Sequence, residues 1–342
     1  METDGSGDGP RAVISPAPPS VAASAQRARE LDQAHRKRLR GGLPLALSMR
    51  YLATAFERLR LGTVPVTAAQ VPRPPAKTVS LSFVGHATVM ITTPATRVIV
   101  DPLLENSLYG IRRAKAAGIA ERDLDDADLV LVTHAHRDHL SRASLARLPG
   151  SAPVVVPPHC ERLVRRVGLL NVVELHPGRT HAEGDLEVIS VPVRHSGARG
   201  FGDYARRGAC GYIVRTPDAC IYVAGDTGYF SGFAEIGRRF RPDVALLPIS
   251  GYEPAAFREE HLSPLDAIYA FEDLGARILI PTTYGSFPLS YEPLDAPLTW
   301  LRQIARERGL AQGGPSSAAA AREARRVAVL DHGETVHFRR SG

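Results

Sequence analysis

Within residues 133–139, three imidazoles and a carboxylate crowd into six positions: His134, His136, Asp138 and His139. Neutral imidazole and carboxylate are ligands for divalent transition metals, and a solvated turn has no use for them at this density. The run follows Asp128-Leu129-Val130-Leu131-Val132, which is short, apolar and rich in β-branched residues. That stretch reads as a buried strand with the His-rich loop at its C-terminal end. Extended backbone through His136 sets His134 and His136 on one face, able to grip a single ion, while Asp138 and His139 turn away. Four donors divided in this way suit two neighbouring ions better than one, because a tetrahedral ion takes ligands from several directions and a hydrolytic site keeps a position open. The chemistry expected there is the lowering of a water's pKa from about 15.7 toward 7 on a cation such as Zn²⁺, which yields a nucleophile at neutral pH.

The pattern H-x-H-x-D-H resembles the signature of the metallo-β-lactamase fold hydrolases. That resemblance implies a third His, a bridging Asp and a last His from later strand ends. His195, in Val191-Pro192-Val193-Arg194-His195-Ser196, matches the third His, and Asp226, in Ala224-Gly225-Asp226-Thr227-Gly228, matches the bridging carboxylate. A carboxylate holds two cations close because each oxygen takes one ion while its charge offsets their repulsion. Further motifs, Val84-Gly85-His86-Ala87-Thr88, Val100-Asp101-Pro102, Pro248-Ile249-Ser250-Gly251-Tyr252, His261-Leu262-Ser263-Pro264 and Asp331-His332-Gly333-Glu334, resemble the branch that contains N-acyl-phosphatidylethanolamine-hydrolysing phospholipase D. They extend over roughly residues 80–338. The resemblance implies a four-layer αβ/βα sandwich over residues 76–340 and one or two Zn²⁺ ions, with Fe or Mn as alternatives. The substrate it implies is a phosphodiester, such as an N-acyl-phosphatidylethanolamine-like phospholipid. A lactone or another carboxylic ester or amide is the alternative, and a non-catalytic metal- or ligand-binding protein is the alternative from another class.

One position departs from that pattern. The branch supplies its final imidazole in a segment that here reads Ile280-Pro281-Thr282-Thr283-Tyr284-Gly285-Ser286-Phe287, and the matching residue is Thr283. A neutral hydroxyl is a far poorer zinc ligand than imidazole, so the second ion keeps Asp138, His139 and a share of Asp226. Three outcomes stay open: water fills the gap, His261 substitutes, or only the site of His134, His136, His195 and Asp226 is filled. Asp138 is expected to orient the attacking water while it serves as a ligand, and His261 to contact substrate or act as an acid. His86 and Asp101 are expected behind the ligands, because each ligating imidazole needs a partner for its other nitrogen. Arg199, Phe201 and Tyr204 follow His195 and would receive an anionic, partly apolar substrate at the site mouth.

The elements that must carry these residues are legible as strand-like runs at 79–84, 97–100, 129–132, 153–156, 186–193, 211–214, 220–223, 243–247, 277–280 and 327–330. Helix-like stretches at 141–147, 159–167, 231–239, 263–274 and 295–308 separate many of them, and the alternation indicates an α/β fold. Residues 1–30 are rich in Gly, Ser, Pro and Ala and read as a disordered tail. Residues 31–75 read as a basic, amphipathic helical extension closed by the Pro-rich linker 71–76. Packing of that extension on the domain or in a homodimer is one expectation. Peripheral membrane contact through residues 31–62 is the other.

The 342 residues, 44% of them hydrophobic, suffice for a sizeable core. A net charge of +6 is compatible with nucleic acid, but Arg supplies 39 and Lys 3 of the 42 basic residues. That skew, with abundant Ala, Gly and Pro, fits the codon bias of a GC-rich bacterial genome, and no aromatics interleave with the basic residues, so nucleic acid is excluded as a partner. Cys160, Cys210 and Cys220 are odd in number and match no metal spacing, as in a reducing cytoplasm. No leader peptide and no run of about 18 apolar residues is read, so the chain is expected to be cytoplasmic.

Overall fold

A computed structural model describes residues 20–39, 62–68, 70–200, 203, 206–312 and 325–338. Two sheets dominate it. The first runs β17 (Thr335–Phe338), β1 (Val79–Gly85), β2 (Thr88–Thr92), β3 (Arg97–Val100), β6 (Leu129–Leu131), β7 (Val154–Val156) and β8 (Val172–Glu174). The second runs β15 (Ala311–Gln312), β16 (Arg326–Val327), β14 (Ile278–Thr282), β13 (Val244–Pro248), β12 (Cys220–Val223), β11 (Gly211–Arg215), β10 (Leu186–Val191) and β9 (Thr180–Glu183). A separate short hairpin joins β4 (Ser107–Leu108) to β5 (Ile111–Arg112). Each large sheet is antiparallel in one half and parallel in the other. β1, β2 and β3 pair antiparallel, whereas β3, β6, β7 and β8 pair parallel.

Alternation of side chains divides each strand of the first sheet between two apolar layers. Val79, Leu81 and Phe83 of β1, Val98 and Val100 of β3, and Leu129 and Leu131 of β6 face the second sheet, sharing one core with Val188, Tyr212 and Leu246. Ile99, Val130, Val154 and Val156 point the other way and pack with Leu124, Leu145 and Leu163 from the helices Glu121–Asp125, Arg142–Leu145 and Glu161–Arg165. Phe233, Ile268 and Leu301, from the helices Gly232–Phe240, Pro264–Leu274 and Ala296–Glu307, cover the second sheet. The result is the αβ/βα sandwich. Ser263 caps its helix through a reciprocal capping box with Asp266, and Pro264 occupies the first turn, where its missing N–H is harmless.

The N-terminal region differs from its expected form. The helix Val21–Leu39 begins inside the segment 1–30 expected to be a tail. Its weak apolar pattern gave no helical signal because polar groups dock it. Ser24 Oγ donates to the buried Asp273 carboxylate at 2.6 Å. Arg27 pairs with Asp273 at 3.3 Å and lies over the Tyr269 ring at 4.4 Å. Residues 62–68 and 70–75 are tied to the domain as well. Val64 N donates to Ala114 O, and Ala116 N donates back to Val64 O. Val71 O accepts from the buried Arg97, whose guanidinium meets the buried Asp123 at 2.7 Å. The middle of the amphipathic extension expected at 31–75, residues 40–61, lies outside the described residues. Among those described, no helix is long and apolar enough to cross a membrane.

Candidate metal centre

The loops that leave the C-terminal ends of β3, β6, β10, β12, β13 and β14 converge, as ligand-binding loops do in α/β sheets. They carry Asp101, His134 to His139, His195, Asp226, His261 and Thr283, and the β1–β2 turn adds His86. Asp101 organises the His-rich loop. Its carboxylate accepts from Thr133 N at 2.7 Å, Thr133 Oγ1 at 2.7 Å and His139 Nδ1 at 2.8 Å. Gly225 lets the end of β12 come alongside, because a Cβ there would stand 2.6 Å from Thr133 Cβ.

The donor atoms fall into neighbouring sets. His134 Nε2 is 3.0 Å from His136 Nδ1, which is 3.2 Å from His195 Nε2. His139 Nε2 lies 3.2 Å from Asp226 Oδ2 and 3.6 Å from Asp138 Oδ2, and His86 Nε2 lies 3.1 Å from Asp138 Oδ2. Asp226 Oδ2 reaches toward both sides, 4.0 Å from His134 Nε2 and 3.7 Å from His261 Nε2. Ligand atoms at about 2.0–2.1 Å from one tetrahedral zinc stand roughly 3.3 Å apart, so these separations fit a shared cation. The unsatisfied groups agree with that fit. His139 Nε2 and Asp226 Oδ1 are buried and lack any hydrogen-bond partner, a costly state unless a cation takes their lone pairs.

Charge and tautomer are prepared to match. Burial, reinforced by the neighbouring imidazoles, holds His134 well below the usual histidine pKa and pushes His195 down to about 4, so both stay neutral with a lone pair free. Burial opposes charge on His139 too, but the carboxylates of Asp226, Asp101 and Asp138 outweigh it and raise its pKa well above the usual value, so a cation at its Nε2 would take the place of a proton. Asp226 is held ionised by His139, His261 and His134 against the cost of burial. His195 Nδ1 donates to Glu260 O at 3.0 Å and His139 Nδ1 donates to Asp101, which leaves Nε2 of each ring as the ligand atom.

The structure therefore gathers His134, His136, Asp138, His139, His195, Asp226 and His261, with His86 and Asp101 against them. Thr283 lies beside His86, whose carbonyl accepts from Thr283 N at 2.8 Å, and its own hydroxyl is buried without a partner. Arg199 is anchored to the His-rich loop. Its Nη1 donates to Ala135 O at 2.9 Å and Leu140 O at 2.7 Å, so it braces the His-rich loop from outside. Phe201 and Tyr204 lie outside the described residues. Glu260 and Thr133 were missed by sequence reasoning. Glu260 acts through its backbone carbonyl, which has no residue-type signature, whereas the hydroxyl of Thr133 directly before His134 was a signal available to find it. A cavity of about 370 Å³ opens beside His195, between Arg194, Arg207, Glu259 and Glu260.

Known proteins resemble this chain. A family model described as the β-lactamase superfamily domain matches residues 96–284. A UPF0173 metal-dependent hydrolase of Caldivirga maquilingensis is 31% identical over 210 residues, 61% of this chain and 83% of its own length. One from Methanoregula boonei is 33% identical over 212 residues, covering 60% of this chain and 82% of its own. Among solved structures, the metallo hydrolase Igni18 of Ignicoccus hospitalis aligns with a TM-score of 0.57 at 24% identity, covering 77% of this chain and 100% of its own. An isothiocyanate hydrolase from Delia radicum gut bacteria aligns with a TM-score of 0.61 at 20% identity over 77% of this chain and 100% of its own. At those identities the structural likeness is one of fold.

Proposed function

The chain belongs to the metallo-β-lactamase superfamily, among the UPF0173 metal-dependent hydrolases, and from that premise we propose that it hydrolyses a phosphodiester of the phospholipid kind. The observation that carries the reading is the pair of donor sets meeting at Asp226, whose Oδ2 approaches His134 and His139 while Oδ1 has no partner. Ions held there would supply Lewis acidity toward a phosphoryl oxygen and a water of lowered pKa. Two adjacent cation positions suit in-line displacement at phosphorus, where entering and leaving oxygens lie on opposite sides. The phospholipid assignment rests on the motifs that resemble N-acyl-phosphatidylethanolamine-hydrolysing phospholipase D.

The chain's own groups divide the work. Asp138, its side chain 14% exposed, is the carboxylate turned toward the open side, and it orients the attacking water. His261 is also partly exposed, and its Nδ1 donates to Phe257 O at 3.1 Å. A carbonyl only accepts, so Nδ1 keeps its proton and Nε2 is the atom that exchanges one with substrate. The P–O bond to the leaving alcohol breaks as water's oxygen bonds to phosphorus, and the proton passes to the alcohol oxygen.

Turnover of bis-p-nitrophenyl phosphate, set against a panel of lactones, tests this reading. Expected is phosphodiester hydrolysis that stops on chelation and returns with metal. Lactone turnover without phosphodiester turnover would replace the substrate class by a carboxylic ester. A chain that holds no Zn, Fe or Mn after loading, and turns over neither probe, would remove the catalytic reading.

A further inference from the structure

The second donor set is one imidazole short at Thr283, yet an imidazole stands beside that gap. His86 sits in the tight turn between β1 and β2 with φ of 58°, and Thr283 shares the same left-handed region at 58°. Non-glycine residues rarely hold such a conformation, least of all a β-branched one, and they persist where the surroundings fix them for a purpose. The two are bound together: Thr283 N donates to His86 O, and His86 bridges antiparallel to Tyr284. The His86 ring is buried and seated edge-on against Phe287 at 5.7 Å, from the same segment that carries Thr283. That contact directs Nε2 toward Asp138 Oδ2 at 3.1 Å, and the donor atoms of His86, Asp138 and His139 lie within 4.8 Å of one another.

We propose that His86 is a direct ligand of the second cation position, replacing the imidazole absent at 283, so that the chain holds two transition-metal ions. This rests on the metal-dependent hydrolase reading and reassigns His86 from a supporting residue to a donor. His261 is the weaker substitute. Its Nε2 groups with His195 and Asp226, its ring lies 5.1 Å from that of His195, and among the described residues no donor set unites it with Asp138 and His139. A hydroxyl at 283 leaves His86 unobstructed. Three protein ligands, His86, Asp138 and His139, with Asp226 shared, complete a tetrahedral set.

Elemental analysis of the full chain loaded with Zn²⁺, together with the visible absorption of the Co²⁺-loaded form, tests the assignment. Two ions per chain are expected in the wild type and one in His86→Ala, with the Co²⁺ spectrum reduced to that of a single site. His261→Ala is expected to keep two. Thr283→His placed in the His86→Ala background is expected to return the count to two, because an imidazole is supplied from the other side of the same gap. If His86→Ala fails to fold, His86→Gln, which keeps the bulk and loses the imidazole, gives the same readout. Two ions with an unchanged Co²⁺ spectrum in either His86 variant, or one ion in the wild type, overturns the assignment and leaves the hydrolase reading standing. A wild type with no ion overturns both.

Discussion

His134 and Asp226 sit where single side chains decide everything, since each is buried and each faces other donors at 3–4 Å. Alanine at either is expected to lower phosphodiester turnover by on the order of 10²–10³-fold or more, the scale of losing one preorganised electrostatic group. Steady-state rates at saturating metal check it; wild-type turnover with metal still bound would sink the assignment. Asp101 works at one remove. Asp101→Asn keeps the shape but loses the charge that faces His139 Nδ1 at 2.8 Å, and metal affinity is expected to fall about 10–100-fold in competition with a chelator. At this scale the sequence was most informative where chemistry is local. His134 to His139 declare themselves by spacing, whereas His195 and Asp226, a lone His and an Asp in an ordinary turn, stand out only through the family resemblance. The backbone contacts of Arg199 with the carbonyls of Ala135 and Leu140 were not legible, because a guanidinium's partners on a distant loop leave no mark in its own sequence.

The elements of the sandwich were legible where burial is strong on both faces. β1, β3, β6, β7 and β12 are apolar and fully buried, so their composition announces them. The half-exposed β8 and β9 were not, nor was the buried β2, whose Thr88 and Thr92 flank a short apolar run, and β17 owes its existence to pairing with β1 across the length of the chain. The helix Val21–Leu39 was hidden for a different reason: its docking is polar. Asp273 accepts from Ser24 Oγ, Tyr229 OH and Arg27 at once. Asp273→Ala is expected to lower stability by about 1–3 kcal/mol, because a buried hydroxyl loses its acceptor, and to expose residues 21–39 to protease. Urea unfolding with limited proteolysis measures both, and unchanged cleavage would mean that the helix holds by other contacts. The Arg97–Asp123 pair pins the 70–75 segment through Val71. Asp123→Ala strands a buried guanidinium, so a loss of about 3–5 kcal/mol is expected from the same urea titration.

Across the whole molecule, two half-parallel sheets share one apolar core, and all their site-bearing loops leave on one side. The N-terminal helix packs against the short helix Ala255–Glu259, the element directly before Glu260 and His261. Chain outside the matched family segment thereby touches the rim of the site. Periodicity alone specified only an α/β fold; the sandwich followed from the resemblance, because which strand pairs with which is a long-range property. The most direct test is anomalous diffraction at the metal edge from crystals of the metal-loaded chain. A peak bonded to His134 Nε2, His136 Nδ1, His195 Nε2 and the Asp226 carboxylate is expected. A loaded crystal with these four residues ordered and no peak among them would contradict the assignment of this cluster as the catalytic metal centre.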